Sequence, residues 1–236
     1  QWQLTPGRTS NTSLVSRFTR WNRRVAGNWT APVQPASINI SGAQNALKIA
    51  TAGNYAYVVR NDGSPDFAVI DVTDSSNPLP IGSLTLPGIP RDVKVAGNYA
   101  YVASTDNTGE LQIIDIINPA SPFIAASFNA AGSANATAVE VFGTAVYIVR
   151  ESSTADELII VDVSIPSTPQ FLGSLDLGAT ANDVTVMNGY AYVAAASNAQ
   201  ELMVVDVFNA PTPSMVGSFN ASGTANGDSV AGFGQT

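Results

Sequence analysis

The stretch Leu111-Gln112-Ile113-Ile114-Asp115-Ile116-Ile117-Asn118-Pro119 decides the fold, because near-copies of it return three times. They are Phe67-Ala68-Val69-Ile70-Asp71-Val72, Leu158-Ile159-Ile160-Val161-Asp162-Val163 and Leu202-Met203-Val204-Val205-Asp206-Val207, each followed within a few residues by proline. The aspartates stand at 71, 115, 162 and 206, so the intervals are 44, 47 and 44. A fixed period of this length, carried by branched residues without helical spacing, marks a blade-type repeat.

Each unit reads as four strands. In the second unit these are Asp92 to Ala96, Tyr99 to Ser104, the Asp-bearing run, and Phe123 to Phe128. Apolar residues alternate with small or polar ones, and Gly97-Asn98 supplies a tight hairpin turn between the first two strands. Gly53-Asn54, Gly143-Thr144 and Asn188-Gly189 fill the same place in the other units. The second strands carry Tyr57, Tyr101, Tyr147 and Tyr192, read as large flat side chains for packing between blades. The recurrent Asp, placed before a Pro-bearing loop, reads as an Asx-type cap on loop N–H groups.

The motif of branched apolar run, Asp, apolar residue and downstream Pro, seen best from Leu158 to Pro166, resembles the LVIVD repeat. That family is bacterial and archaeal, is found at the cell surface, and is expected to form β-propeller blades. The resemblance covers residues 37 to 236 and implies an all-β propeller of four-stranded antiparallel blades. Four full blades are expected near residues 46–86, 91–130, 137–177 and 182–221, with a partial fifth from 228 to 236. Ser37 to Ile40 matches the outermost strand of a preceding blade. Phe128-Asn129-Ala130 returns as Phe219-Asn220-Ala221, and Arg60 as Arg150, so the units also pair two by two.

Residues 1–36 differ in kind. Leu14, Phe18, Trp21 and Val25 follow helical spacing behind Asn11, Thr12 or Ser13 as cap, with Gly27 as stop, so one short N-terminal amphipathic helix and a Pro-containing linker are expected. Five arginines and no acid lie in this segment, whereas residues 37–236 hold five bases and eighteen acids. The acidic repeat body disfavours nucleic acid as a partner, because phosphate binding needs a positive surface. No run of eighteen apolar residues occurs, so membrane attachment is expected only through an anchor outside this chain.

The chain has no cysteine and no histidine. Thiolate nucleophiles, sulfur-held metals and the usual general base near neutral pH are therefore absent. No phosphate loop, nucleophile elbow or calcium-loop spacing stands out, although Asn61, Asp62, Gly63, Asp66, Asp71 and Asp74 place oxygen ligands close together. No catalytic residue, metal site or cofactor is expected. By analogy with other propellers, the loops entering the first strands offer a ligand surface: Asn45, Lys48, Arg91, Asp92, Asn135, Asn182 and Asp183.

These readings point to a non-enzymatic extracellular or cell-surface β-propeller module for adhesion or protein interaction, with a place as part of a pilin-like surface filament among the expectations. The expected partner is a protein or a surface glycan, with self-assembly through an open terminal blade as a further route. The alternative is a propeller enzyme or carbohydrate-binding domain using carboxylates and a bound cation at the channel mouth. Three or more converging carboxylates would favour that alternative, and a mixed or filled channel the interaction module.

Overall fold

The computed structural model describes residues 36–40, 45–61 and 63–232, and among them all regular structure is β. Blade 1 comprises β1 (Ala46–Ala52), β2 (Tyr55–Arg60), β3 (Phe67–Asp71) and β4 (Leu79–Leu84). Blade 2 comprises β5 (Pro90–Ala96), β6 (Tyr99–Ser104), β7 (Leu111–Asp115) and β8 (Phe123–Phe128). Blade 3 comprises β9 (Ala136–Phe142), β10 (Ala145–Arg150), β11 (Leu158–Asp162) and β12 (Gln170–Leu175). Blade 4 comprises β13 (Ala181–Met187), β14 (Tyr190–Ala195), β15 (Leu202–Asp206) and β16 (Ser214–Phe219). Each blade is an antiparallel sheet with its strands in chain order. First strands of successive blades pack side by side, β1 on β5, β5 on β9 and β9 on β13, as in a propeller.

Local sequence explains these elements. The hairpin between first and second strands needs positive φ, met by Gly53 (58°), Gly97 (58°) and Gly143 (63°), and by Asn188 (54°) with Gly189 (80°). The register shifts once near the start of each first-to-second pairing, a bulge that adds twist. The recurrent Asp acts as the sequence predicts: Oδ1 of Asp71, Asp115, Asp162 and Asp206 accepts the N–H two residues on, at 2.8–2.9 Å.

The core lies between blades. Tyr57, Val59, Phe67 and Val69 of blade 1 pack against Val93, Val102 and Ile114 of blade 2. Tyr101, Leu111 and Ile113 meet Val139, Ile148 and Ile159 of blade 3, and blades 3 and 4 join in the same way. Tyr57, Tyr101 and Tyr147 are buried, whereas Tyr192 on the far face of blade 4 is half-buried. On the opposite end, Ala56, Val58 and Ile70 of blade 1 are packed by Ile38 and Ile40.

One expectation falls outside the described residues and another meets a different outcome. The N-terminal helix and its linker, over residues 1–35, lie outside the described residues. The partial fifth blade is not formed, because residues 228–232 pair with no strand. Side chains and turn contacts hold that tail on blade 4 instead. Asn182 Nδ2 donates to Gly227 O at 2.8 Å, Val230 N donates to Asp183 Oδ2 at 3.1 Å, and Gly227 N donates to Ala195 O at 2.9 Å. With no second strand beside it, the segment has no ladder to complete.

Candidate functional site

The first strands bring charged side chains together across blade boundaries. On a strand, residues two apart share a face, so Asp92 and Lys94 of β5 project together. Asp92 is buried, its Oδ1 accepting Val93 N at 2.8 Å and its Oδ2 accepting Val139 N of β9 at 3.1 Å. Lys94 Nζ lies 3.2 Å from Glu140 Oε2 of β9, and Glu140 Oε1 accepts Val141 N at 2.9 Å. Burial pushes the Asp92 carboxyl above the ordinary range, while the two N–H donors, Lys94 and Lys48 pull against it. Burial disfavours the Lys94 charge, yet Glu140, Asp92 and Asp183 together raise its pKa.

Of the sequence-predicted residues, Asp92 and Asp183 thus act on Lys94, and Lys48 acts on Asp92. Asp183 repeats the geometry of Asp92, with Oδ1 accepting Val184 N at 2.9 Å and Oδ2 accepting Val230 N. Arg91 is exposed. Asn45 and Asn61 bridge by backbone and side chain, Asn45 N to Asn61 Oδ1 at 2.8 Å. Asn135 Nδ2 donates to Glu151 Oε2 at 2.9 Å, and Asn182 holds the tail at Gly227. The asparagines therefore tie loops together. Sequence reading missed Lys94 and Glu140; the signal available was the i, i+2 spacing from Asp92.

A second recurrent acid was also missed, although it directly precedes every branched run: Asp66, Glu110, Glu157 and Glu201, all buried. Each carboxylate accepts the N–H twenty residues downstream, that of Leu86, Ala130, Leu177 or Ala221, at 2.8–3.0 Å. It ties the third strand to the connection that leads into the next blade. In blade 3, Arg150 is fully buried beside this acid, donating to Ala131 O at 2.9 Å and to Asp156 O. Its Nη1 also faces Glu110 Oε1 of blade 2 at 3.9 Å. Blade 2 has Ser104 where blade 3 has Arg150, and there Ser104 Oγ and Gln112 Nε2 both donate to Pro87 O, at 2.8 and 2.6 Å.

Chemically the first-strand cluster is mixed in sign, and its carboxylate oxygens already accept internal N–H groups or Lys94. Among the described residues no group of three His, Cys, Asp or Glu side chains is arranged to hold a metal ion. Asp66, Asp71 and Asp74, the weak calcium candidates, accept backbone N–H groups instead. A separate groove of about 500 Å³ lies between blades 2 and 3, lined by Phe128, Asn129, Asp156, Phe171 and Ser174 over Arg150. Among the described residues no helix is long and apolar enough to cross a membrane.

The LVIVD repeat profile matches this chain four times, over residues 43–85, 87–130, 133–176 and 178–221. No curated protein matches it in sequence. Among solved structures it is similar to a functionally unknown protein from Desulfotomaculum acetoxidans, with TM-score 0.61 and 17% identity over 77% of this chain and 59% of that one. It is also similar to the computationally designed Ika4 protein, with TM-score 0.51 and 14% identity over 66% of this chain and 89% of the design. A Bacteroides uniformis protein, provisionally described as a 6-phosphogluconolactonase, matches with TM-score 0.60 and 13% identity over 69% and 50%. At these identities the likeness is one of fold, and this chain spans 59% of the first neighbour's length.

Proposed function

From the premise that this chain belongs to the LVIVD repeat family, we propose that it is a non-catalytic interaction module, displayed outside the cell, that binds a protein partner through its repeated loops. The observation that carries this reading is a set of large apolar side chains left in solvent at related positions of different blades. Ile117 (63% exposed), Ile165 (62%) and Phe208 (89%) sit in the loops after the third strands. Phe123 and Phe171, more than half exposed, stand at the start of the fourth strands of blades 2 and 3. Apolar groups recurring along one rim are characteristic of an interaction surface. The mixed, internally satisfied first-strand cluster supports the same reading over catalysis.

The test is adhesion. Beads coated with the chain are expected to adhere to cell-surface preparations of the host, and beads carrying the Ile117→Ser, Ile165→Ser, Phe208→Ser triple variant to lose most of that adhesion. Equal adhesion by the variant would refute the rim as the contact surface. Turnover of ester, lactone or glycoside substrates that vanishes in Asp92→Asn would overturn the non-catalytic reading. A glycan reading is favoured only by the groove, where Phe128 and Phe171 flank Asn129, Asp156 and Ser174, pairing aromatic faces with polar groups.

A further inference from the structure

The two ends of the strands differ in charge and in exposed apolar surface. Antiparallel order puts the hairpin between first and second strands at the same end as the close of the third strand, as the pairs Tyr55 with Asp71, Tyr99 with Asp115, Ala145 with Asp162 and Tyr190 with Asp206 show. At this end lie Asp71, Asp74, Asp115, Asp162 and Asp206, and among the described residues its turns and loops hold no Lys or Arg. The bases of the blades stand elsewhere. Lys48, Arg60, Arg91 and Arg150 lie toward the opposite end, where first strands begin and second strands finish, and Lys94 is mid-strand and paired with Glu140.

The exposed apolar side chains of the rim lie at this acidic end. Ile117, Ile165 and Phe208 follow the aspartate of their own blade within a few residues, and Leu79, Phe123 and Phe171 open the fourth strands beside it. The aspartates cap their loops without losing their charge, because an N–H donated to a carboxylate favours its ionised form. In blade 1 the Thr73 hydroxyl and N–H hold the Asp71 carboxyl below the ordinary range. The apolar groups supply area that leaves water on contact. The ring of charge then selects which partner makes that contact.

We propose that this end of the blades docks a polypeptide segment that carries Lys or Arg among apolar residues. The inference rests on the reading of the rim as a contact surface and gives the partner its chemistry. The segment's apolar residues cover Ile117, Ile165 and Phe208, and its bases face the aspartate that stands beside each of them. An acidic segment meets like charge at every blade, and a phosphate or an anionic lipid headgroup is repelled in the same way. A basic segment without apolar residues makes only exposed ion pairs, which contribute little singly. Both halves of the composition are therefore required.

Titration with three synthetic peptides of equal length tests this, one built from Lys and Leu, one from Glu and Leu, and one from Lys and Ser. The chain is expected to bind the Lys/Leu peptide, and each of the others at least roughly tenfold more weakly. That binding is expected to weaken from about 0.1 M to about 1 M salt, as the screening length falls from about 10 Å to about 3 Å. In the Asp115→Asn, Asp162→Asn, Asp206→Asn variant each side chain retains an oxygen for its loop N–H. Its unfolding transition is expected to be kept and its affinity for the Lys/Leu peptide to fall roughly tenfold. Asp106→Asn with Asp176→Asn, at the opposite end, is expected to bind as the native chain does. No binding of the Lys/Leu peptide, equal affinity for the Glu/Leu peptide, or unchanged affinity in the triple Asn variant overturns the proposal. Bead adhesion separates this from the rim reading. Adhesion lost in the triple Ser variant but kept in the triple Asn variant removes the basic partner and leaves the rim as contact surface, whereas adhesion kept in both removes the rim as well.

Discussion

Glu157 shows what a single residue does in this fold. Its Oε2 accepts Leu177 N at 2.8 Å and Gly178 N at 3.2 Å, and its Oε1 accepts Ser153 N at 3.2 Å. Glu157→Ala removes all three acceptors from a buried corner. The expected loss is about 3 kcal/mol, read as a lower urea midpoint with an unchanged m-value, and Glu157→Gln is expected to recover part of it. Glu110 predicts a pH dependence. Burial raises its pKa, while the N–H of Ala130 and the Arg150 charge oppose the rise. A carboxyl whose folded pKa is raised contributes stability that is fully present below its ordinary value and lost as pH rises through the folded value. The stability of the native chain relative to Glu110→Gln is therefore expected to grow between pH 7 and pH 4, and a flat difference across that range would show that burial is not the controlling cause. At this scale the Asx aspartates were legible in the sequence, because each bonds a loop N–H only two residues away. The pairing of Lys94 with Glu140 was not, because it spans 46 residues and depends on how one blade sits against the next.

Whole strands were legible for a related reason. The branched runs, the Gly or Asn turns and the tyrosines all signal structure within one hairpin, where register follows from turn length. What the elements do to their neighbours required the structure, and the fourth strands show it. A Cβ built on Gly173 of β12 would lie 2.2 Å from Ala210 O in the loop of blade 4, and one on Gly82 of β4 2.1 Å from Pro119 O in the loop of blade 2. These glycines let the loop of the next blade rest on the strand. Gly217 of β16 stands at the same position in blade 4 and meets nothing within 4 Å. Gly173→Ala is therefore expected to cost more than about 2 kcal/mol, the range of an overpacked contact with backbone. Gly217→Ala is expected to change stability by less than about 0.5 kcal/mol, as an exposed substitution does. Thermal unfolding of the two variants side by side decides the matter, and equal losses would mean that blade contact is not what the glycine serves. Position 126, already alanine in blade 2, shows that the requirement depends on which loop follows.

At the scale of the whole molecule, stability is shared between neighbours. Among the described residues, blades 2 and 3 are covered on both faces by other blades, whereas blade 1 has blade 2 on one face and Ile38 and Ile40 on the other, and blade 4 packs on a neighbouring blade through one face. An isolated four-stranded sheet leaves both faces in water, so each blade depends on the interfaces it makes, and an array of such units is described by nearest-neighbour terms. Local opening should then be easiest at the ends. The exposures agree: β16 is exposed along its whole length and β1 along most of it, whereas the equivalent β9 is largely buried. Native-state hydrogen exchange is expected to give the slowest amides in β6, β7, β10 and β11, and the fastest strand amides in β1 and β16. If instead all strands exchanged through one opening reaction of equal free energy, the blades would form a single cooperative unit. The exposure of β1 and β16 would then carry no weight in local stability.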